Sequence, residues 1–540
     1  MATTNKITIK NLDHLGLVAG MIDELEIENE INKLIPTNEK KKQLSYGMLC
    51  KAMILNGLGY VNKQLYLTSK FFEDKPLKRL FGADIEACMI NDDALGRTLD
   101  ALYAYGVNKG YSIIASKAME KLSLLPQTLH LDSTSFHVDG KYNSAQAKDD
   151  SVVHITQGYS RDHHPQLNQV VLNLIVENQS GIPIWMQPSD GNQTDSKAFA
   201  SIIKEHIASL KKGCADDMQL IGDAALYTSK SLEVFKEHDI SFISRVPMTI
   251  AEAKDLQSKI YAMEFKPIDE NYQASEHGII YAQIPQQWVL YRSAHAKHKE
   301  DKTLQKTMMK KSLAEMKSLD KLTKSLFYCE ADATDALQKY TSKLKWIELQ
   351  NAKIVAKPIF KAKGRPKKDA LPDTIQYRIS AISSMPIGAM KTASESESGL
   401  FILATNNLEL SDKELLMRYK SQQRVERGFR FLKSPEFLSD SLFLKNPERI
   451  EALLMIMTLS LMVYAALEYS IRKELKNSDK TFPNQLGKPI NNPTARWIFE
   501  SFFAIHLLSI PDTTEQVIGL RERHSILLDL LGKRYWKFYE

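Results

Sequence analysis

The sequence predicts an α/β protein: a mixed sheet covered by helices, interrupted by a β-rich insertion and flanked by helical N- and C-terminal regions. Three observations carry this. Alternating apolar and polar residues mark strands between Thr128 and Pro247, and 3.6-residue periodicity marks helices between them. Short alternating runs between Met248 and Asn406 set that stretch apart. Amphipathic helical segments dominate the first 125 residues and return from Thr494.

The 540 residues suffice for roughly three or four domains. With 43% apolar and 25% charged residues the chain reads as globular, which excludes wholesale disorder. Net charge is +6 with a pI near 8.7, so basic surfaces can stand beside acidic ones. Cys50, Cys88, Cys214 and Cys329 are dispersed without a C-x-x-C pair, which fits a reducing cytoplasm and argues against a zinc or disulfide framework. Met1–Lys10 lacks the apolar run of a signal peptide. Ala452–Leu467 is the most apolar segment, but its 16 residues are short for a membrane span and read as a buried helix. The expectation is a soluble cytoplasmic protein without a membrane partner.

Residues 1–125 contain amphipathic stretches at Tyr46–Gly57, Leu65–Phe72 and Ala94–Tyr105. A DNA-docking domain and a plain helical packing domain fit them equally. The core opens at residue 126. Thr128–Val138 is a strand with Asp132 inside it, followed by strand-like Val152–Ser160, Gln169–Glu177 and the run after Gly181. A helix is expected over Asp195–Lys212, a buried strand in Met218–Leu226 that ends near Asp223, then a helix and a strand ending at Pro247. An antiparallel meander followed by βα crossovers gives a mixed sheet. Residues 248–406 form the insertion, 407–475 return to the core, and 476–540 are the C-terminal helical region.

Within the insertion, Lys357–Lys368 holds six cations and no acids. Gly364-Arg365-Pro366 resembles a minor-groove arm; a flexible basic linker fits the same residues.

The helix expected over Ser411–Ser434 opens on a capping box, Ser411 with Glu414, and stops at Pro435. At about 100° per residue, Tyr419, Gln422, Glu426, Arg430 and Lys433 share one sector, while Val425, Phe429 and Leu432 form the face that seats the helix. A solvated face with charge pairs is one reading of that edge. The other draws on Asp132 and Asp223, because strand interiors disfavour Asp and a buried carboxylate is costly unless paired or metal-bound. Two such aspartates with Glu426 make a three-carboxylate cluster, whose all-oxygen donor set selects Mg²⁺ or Mn²⁺. Two ions held that way suit in-line attack on a phosphodiester. Tyr419, Gln422, Arg430 and Lys433 would then hold DNA phosphates.

These motifs resemble bacterial insertion-sequence transposases of the DDE type. Asp132 in LHLDSTSFHVDG matches the first acid, and Asp223 in LIGDAALYT the second. Gly158–Val176 and SDGNQTDS (Ser189–Ser196) resemble the accompanying blocks. Tyr419, Glu426 and Lys433 keep the spacing of the family's Tyr-Arg-Glu-Lys helix, with Gln422 at the arginine position, where Arg430 or Arg424 can compensate.

The resemblance implies an RNase H-like fold and cut-and-paste transposition with Asp132, Asp223 and Glu426 as metal ligands. It implies double-stranded DNA partners, the terminal inverted repeats and target DNA, and a homodimer on DNA in a bacterial or archaeal cytoplasm. Trp288 is the candidate for gripping a flipped base, with a core role as the alternative. A nuclease of the same fold without strand transfer, or an inactive DNA-binding derivative, stays open. His130 falls on the same strand face as Asp132. His137, His163, His164 and Asp162 carry less weight.

Overall fold

The structure, a computed structural model, describes residues 7–37, 44–60, 65–138, 152–160, 164–360, 371–384, 398–434, 437, 441–442, 444–510 and 515–540. The chain divides into two compact units. The first joins residues 1–247, 278–288 and 403–540; the second joins 248–277 and 289–402.

In the first unit, strand β1 (Thr8–Asn11) precedes helices α1 (Leu15–Glu24), α2 (Tyr46–Gly57), α3 (Asp92–Tyr105) and α4 (Val107–Lys121). Asn91 starts α3 two residues earlier than the apolar pattern suggests, its Oδ1 accepting the Ala94 N–H at 2.9 Å. The terminal regions are not purely helical, as the sequence suggests: β1 pairs with a strand near the C-terminus, described below. The two regions are also tied by Tyr539, whose hydroxyl accepts the Leu17 N–H at 3.2 Å and donates to the Asp13 carbonyl at 2.8 Å.

The core elements follow as β2 (Thr128–Val138), β3 (Asn168–Glu177), β4 (Pro183–Ser189), α5 (Asp195–Lys212), β5 (Gln219–Gly222), α6 (Ser229–Glu237), β6 (Ser241–Arg245) and β7 (Leu400–Thr405, in this unit from Leu403). Their order in the sheet is β4-β3-β2-β5-β6-β7. β2, β3 and β4 pair antiparallel, whereas β2-β5 and β5-β6 pair parallel, as meander-then-crossover reasoning requires. The fold is the α/β mixed sheet with helical flanks that the sequence predicts.

Two local expectations need correcting. Val152–Ser160 is not a strand; it makes one bridge, Thr156 with Gln169, and passes tightly over Gly191. A Cβ on Gly191 would stand 2.1 Å from the Gln169 carbonyl oxygen, so only glycine allows that approach. Asp223 lies in the turn just beyond β5 rather than within a strand.

The expected helix over Ser411–Ser434 is two helices, α7 (Asp412–Lys420) and α8 (Gln423–Leu432). The capping box is present, with Ser411 and Glu414 bonding reciprocally. At the junction the ladder tightens: Ser421 N–H is shared between the Met417 and Arg418 carbonyls, and Gln422 N–H reaches the Tyr419 carbonyl. Val425, Phe429 and Leu432 are buried, so the seating face of α8 is as predicted.

The long apolar helix α9 (Pro447–Asn477) is long and apolar enough to cross a membrane, but its apolar window is 94% buried in the protein. The C-terminal strands β8 (His506–Ser509) and β9 (Gln516–Ile518) complete a three-stranded sheet in the order β1-β8-β9.

The second unit contains a 31-residue helix, Ala294–Lys324, a shorter one, Glu330–Thr341, and an antiparallel ribbon of Glu348–Ile359 with Thr374–Ser384. The Glu315 carboxylate accepts the N–H groups of Lys345, Trp346 and Ile347, fixing the approach to the ribbon. Lys361–Lys368, including Arg365 of the basic arm, lie outside the described residues.

Glu451 on α9 generates a prediction. Burial pushes its carboxyl up to about 7, with the Val153 N–H opposing and Asp190 and Glu448 adding to the rise. A raised carboxyl binds its proton more tightly folded than unfolded, so stability falls as pH rises from about 4.5 through 7. Glu451→Gln keeps an acceptor for Val153. It should stabilise the protein by roughly 1–3 kcal/mol at pH 8, and by almost nothing below pH 4.5, in chemical denaturation.

Candidate active site

The site is built on strand register. Leu131 of β2 stands opposite Gly222 of β5, and Gly222 stands opposite Ser244 of β6. One residue further along each chain come Asp132, Asp223 and Arg245. Because the strands run parallel and side chains alternate, these three emerge side by side on one face. Neighbouring strands lie about 5 Å apart, which makes Asp132 and Asp223 adjacent.

Local bonds hold the aspartates. Asp132 Oδ1 accepts the Ser133 N–H at 2.8 Å, while Ser133 Oγ donates to Asp195 Oδ1 at 2.6 Å, drawing the SDGNQTDS block against β2. Asp223 Oδ1 accepts the Ala225 N–H at 2.9 Å, and its carbonyl accepts from Ser244 Oγ at 2.8 Å. Leu226 packs close over Gly222, where a Cβ would lie 2.8 Å from the leucine side chain and make it shift.

Glu426 arrives on α8. Lys433, near the end of that helix, holds its ammonium 6.0 Å from the Phe136 ring of β2. Phe136, Thr134 and Asp132 share one face of the strand. That contact sets the end of α8 over the β2 face that carries Asp132.

Tyr419 reports the convergence independently. Burial raises its phenol to about 12; Arg245 opposes the rise, and Asp223, Glu426 and Asp132 each add to it. One hydroxyl thus senses all three carboxylates and one guanidinium. Among the described residues, no group of three His, Cys, Asp or Glu side chains stands in metal-holding geometry. The donor chemistry, oxygen only, fits a hard divalent cation, and exposed Glu426 is the ligand that would have to close in.

The α7–α8 junction is fastened to the sheet. Ser421 Oγ lies 3.1 Å from His130 Nε2, which also lies 3.2 Å from Asn178 Oδ1, and Arg418 Nη1 donates to Gln219 Oε1 at 3.1 Å. His130 is fully buried, and its Nε2 ties the helix junction to β2 and Asn178. His137 and His164 meet ring edge to ring face at 5.4 Å; Asp162 and His163 lie outside the described residues.

The expected DNA contacts divide. Tyr419 stands at the carboxylates, Arg430 is exposed, and Lys433 is half-buried above Phe136. Gln422 is only 9% exposed at the helix junction, which corrects the expectation that its amide meets a phosphate. Trp288 is 1% exposed, and its indole N–H donates to Tyr227 Oη and Gln286 Oε1, both at 3.1 Å. A ring held in the core has no face for a base, so that expectation is corrected too.

Arg245 is the residue that sequence reading misses. Its signal is the alignment of SRVP and LIGD, at the ends of their strands, with LHLD inside β2, which needs the register.

The family described as "Transposase DDE domain" matches residues 124–463, a span that contains both aspartates and Glu426. The chain belongs to that DDE transposase family. It is a DNA transposase. Residues 7–116 of the transposase match a family described as "Domain of unknown function (DUF4277)". No curated protein matches the chain. Among solved structures, the transposase is similar to a chain of the piggyBac transposase synaptic complex with hairpin DNA. The TM-score is 0.39 at 9% identity, over 92% of this chain and 83% of that one.

If Arg245 offsets the two aspartates and meets an incoming phosphate, Arg245→Gln should lower DNA cleavage by about 10- to 100-fold. Thermal unfolding should change little, because the side chain is exposed. Cleavage at the wild-type rate would remove it from the site.

Proposed function

We propose that this transposase performs cut-and-paste transposition of a bacterial or archaeal insertion sequence, with Asp132, Asp223 and Glu426 as its catalytic carboxylates. The observation that supports this is the parallel register pairing Leu131 with Gly222, the residues just before Asp132 and Asp223, with Lys433 of the Glu426 helix over Phe136 of β2. In the first step a water oxygen attacks the phosphorus at the element boundary. The bond from phosphorus to the 3′-oxygen breaks, leaving a 3′-hydroxyl on the element and a 5′-phosphate on the flank. In the second, that 3′-hydroxyl attacks a target phosphodiester, and a target 3′-hydroxyl leaves as the new bond forms.

Mg²⁺ or Mn²⁺, as two ions among the three carboxylates, would supply Lewis-acid stabilisation and a more acidic nucleophile. The chain's own groups position the DNA. Tyr419 keeps its proton at neutral pH and so donates to a phosphate oxygen. Arg430, Lys433 and Arg245 supply positive charge along the same edge. The substrate has two ends, each carrying a terminal inverted repeat, which suits a homodimer working in the cytoplasm.

The test uses duplexes carrying the inverted repeats that flank the element, with Mg²⁺. Asp132→Ala, Asp223→Ala and Glu426→Ala should each abolish nicking at the boundary, by about 10³-fold or more, while end binding survives. A variant that still cuts excludes its residue. Cutting without transfer of a pre-cut end into a second duplex would identify a nuclease of the same fold instead.

A further inference from the structure

On its other flank, α8 borders a groove of about 550 Å³, enclosed by α9 and by the β3–β4 turn at Ser180–Gly181. Taking the buried face (Val425, Phe429, Leu432) as the reference, a step of about 100° per residue puts Glu426, Arg430 and Lys433 on one side. Arg427 and Phe431 fall on the other. The groove is therefore separate from the carboxylate edge, although both are served by one short helix.

The groove is basic. Its walls carry Arg427, Arg472, Lys473 and Lys476 against a single carboxylate, Glu468. Glu468 is already engaged: it pairs with Arg472 at 2.7 Å and accepts the Ala495 N–H at 2.8 Å. Arg427, Lys473 and Lys476 are exposed, and none has a carboxylate partner among the described residues. The floor is aromatic, with Phe431 stacked on Tyr464 at 4.1 Å, and Lys473 held 5.6 Å from the Tyr469 ring. Unpaired cations around an aromatic floor suit a nucleic-acid backbone better than a protein surface, where a mixed charge pattern would be expected.

We propose that this groove is the track for target DNA, held through its phosphates without regard to sequence. The inference rests on the cut-and-paste reading above, because strand transfer requires two DNA molecules at one set of carboxylates. Arg430, Lys433, Tyr419 and Arg245 occupy the edge that holds the strand being cut. The cations across the helix are left for the second duplex.

The experiment compares the full-length wild type with the combined variant Arg427→Gln/Lys473→Gln/Lys476→Gln. A random-sequence duplex without an element end is the binding probe, and pre-cut end duplexes report transfer. Boundary cleavage should be unchanged, while strand transfer falls about tenfold or more. The slope of log affinity against log salt for the random duplex should become shallower by about three. The charge-retaining variant Arg427→Lys/Lys473→Arg/Lys476→Arg should restore both. Equal loss of cleavage and transfer would assign the groove to the element end and overturn the proposal. An unchanged salt slope would overturn it as well, even in a protein with no transfer activity, so its failure is distinguishable from failure of the cut-and-paste reading.

Discussion

The site depends on one constraint, the register of three parallel strands. A shift by one residue would turn Asp132, Asp223 or Arg245 to the opposite face of the sheet. Register holds because β2 is buried along nearly its whole length and paired on both sides, antiparallel to β3 and parallel to β5. The arrangement is costly when empty. Two carboxylates at neighbouring-strand spacing repel by roughly 3 kcal/mol at an effective dielectric near 20. Backbone N–H groups from Ser133 and Ala225, and the nearby Arg245 guanidinium, offset part of that. What remains is a standing preference for positive charge at these strand ends.

Glu426 is held differently. It stands on an element packed against the sheet rather than woven into it, and its position depends on α9 behind α8. α9 is buried chiefly against α1 to α4 and β4, with α8 as one further neighbour, which explains why a helix so hydrophobic is found 94% buried. The junction between α7 and α8 is pinned by Ser421 to His130, and α8 beyond it is a short piece of ten residues. A ligand on such a piece can close onto a cation while the two aspartates stay fixed.

Much of this was legible in the sequence. Asp132 in an apolar strand, Asp223 after Leu220-Ile221-Gly222, and the capping box at Ser411 were visible because each violates or fulfils a local rule. The helix over Asp195–Lys212 was legible to the residue, since strong periodicity ends there on lysines and Gly213. Other features are non-local. Nothing in YKSQQRVE marks the division into two helices; at that point Ser421 meets a histidine 291 positions away. Arg245 becomes a site residue only once three strands are aligned. Trp288 looked available because the partners that bury it, Tyr227 and Gln286, are set by tertiary packing.

The most direct measurement is the location of bound Mn²⁺ by anomalous scattering in crystals of the transposase with a DNA end. The account predicts manganese bridging the Asp132 and Asp223 carboxylates, with Glu426 drawn in as a further ligand. Manganese bound elsewhere, with those two aspartates left without it, would contradict the account at its root.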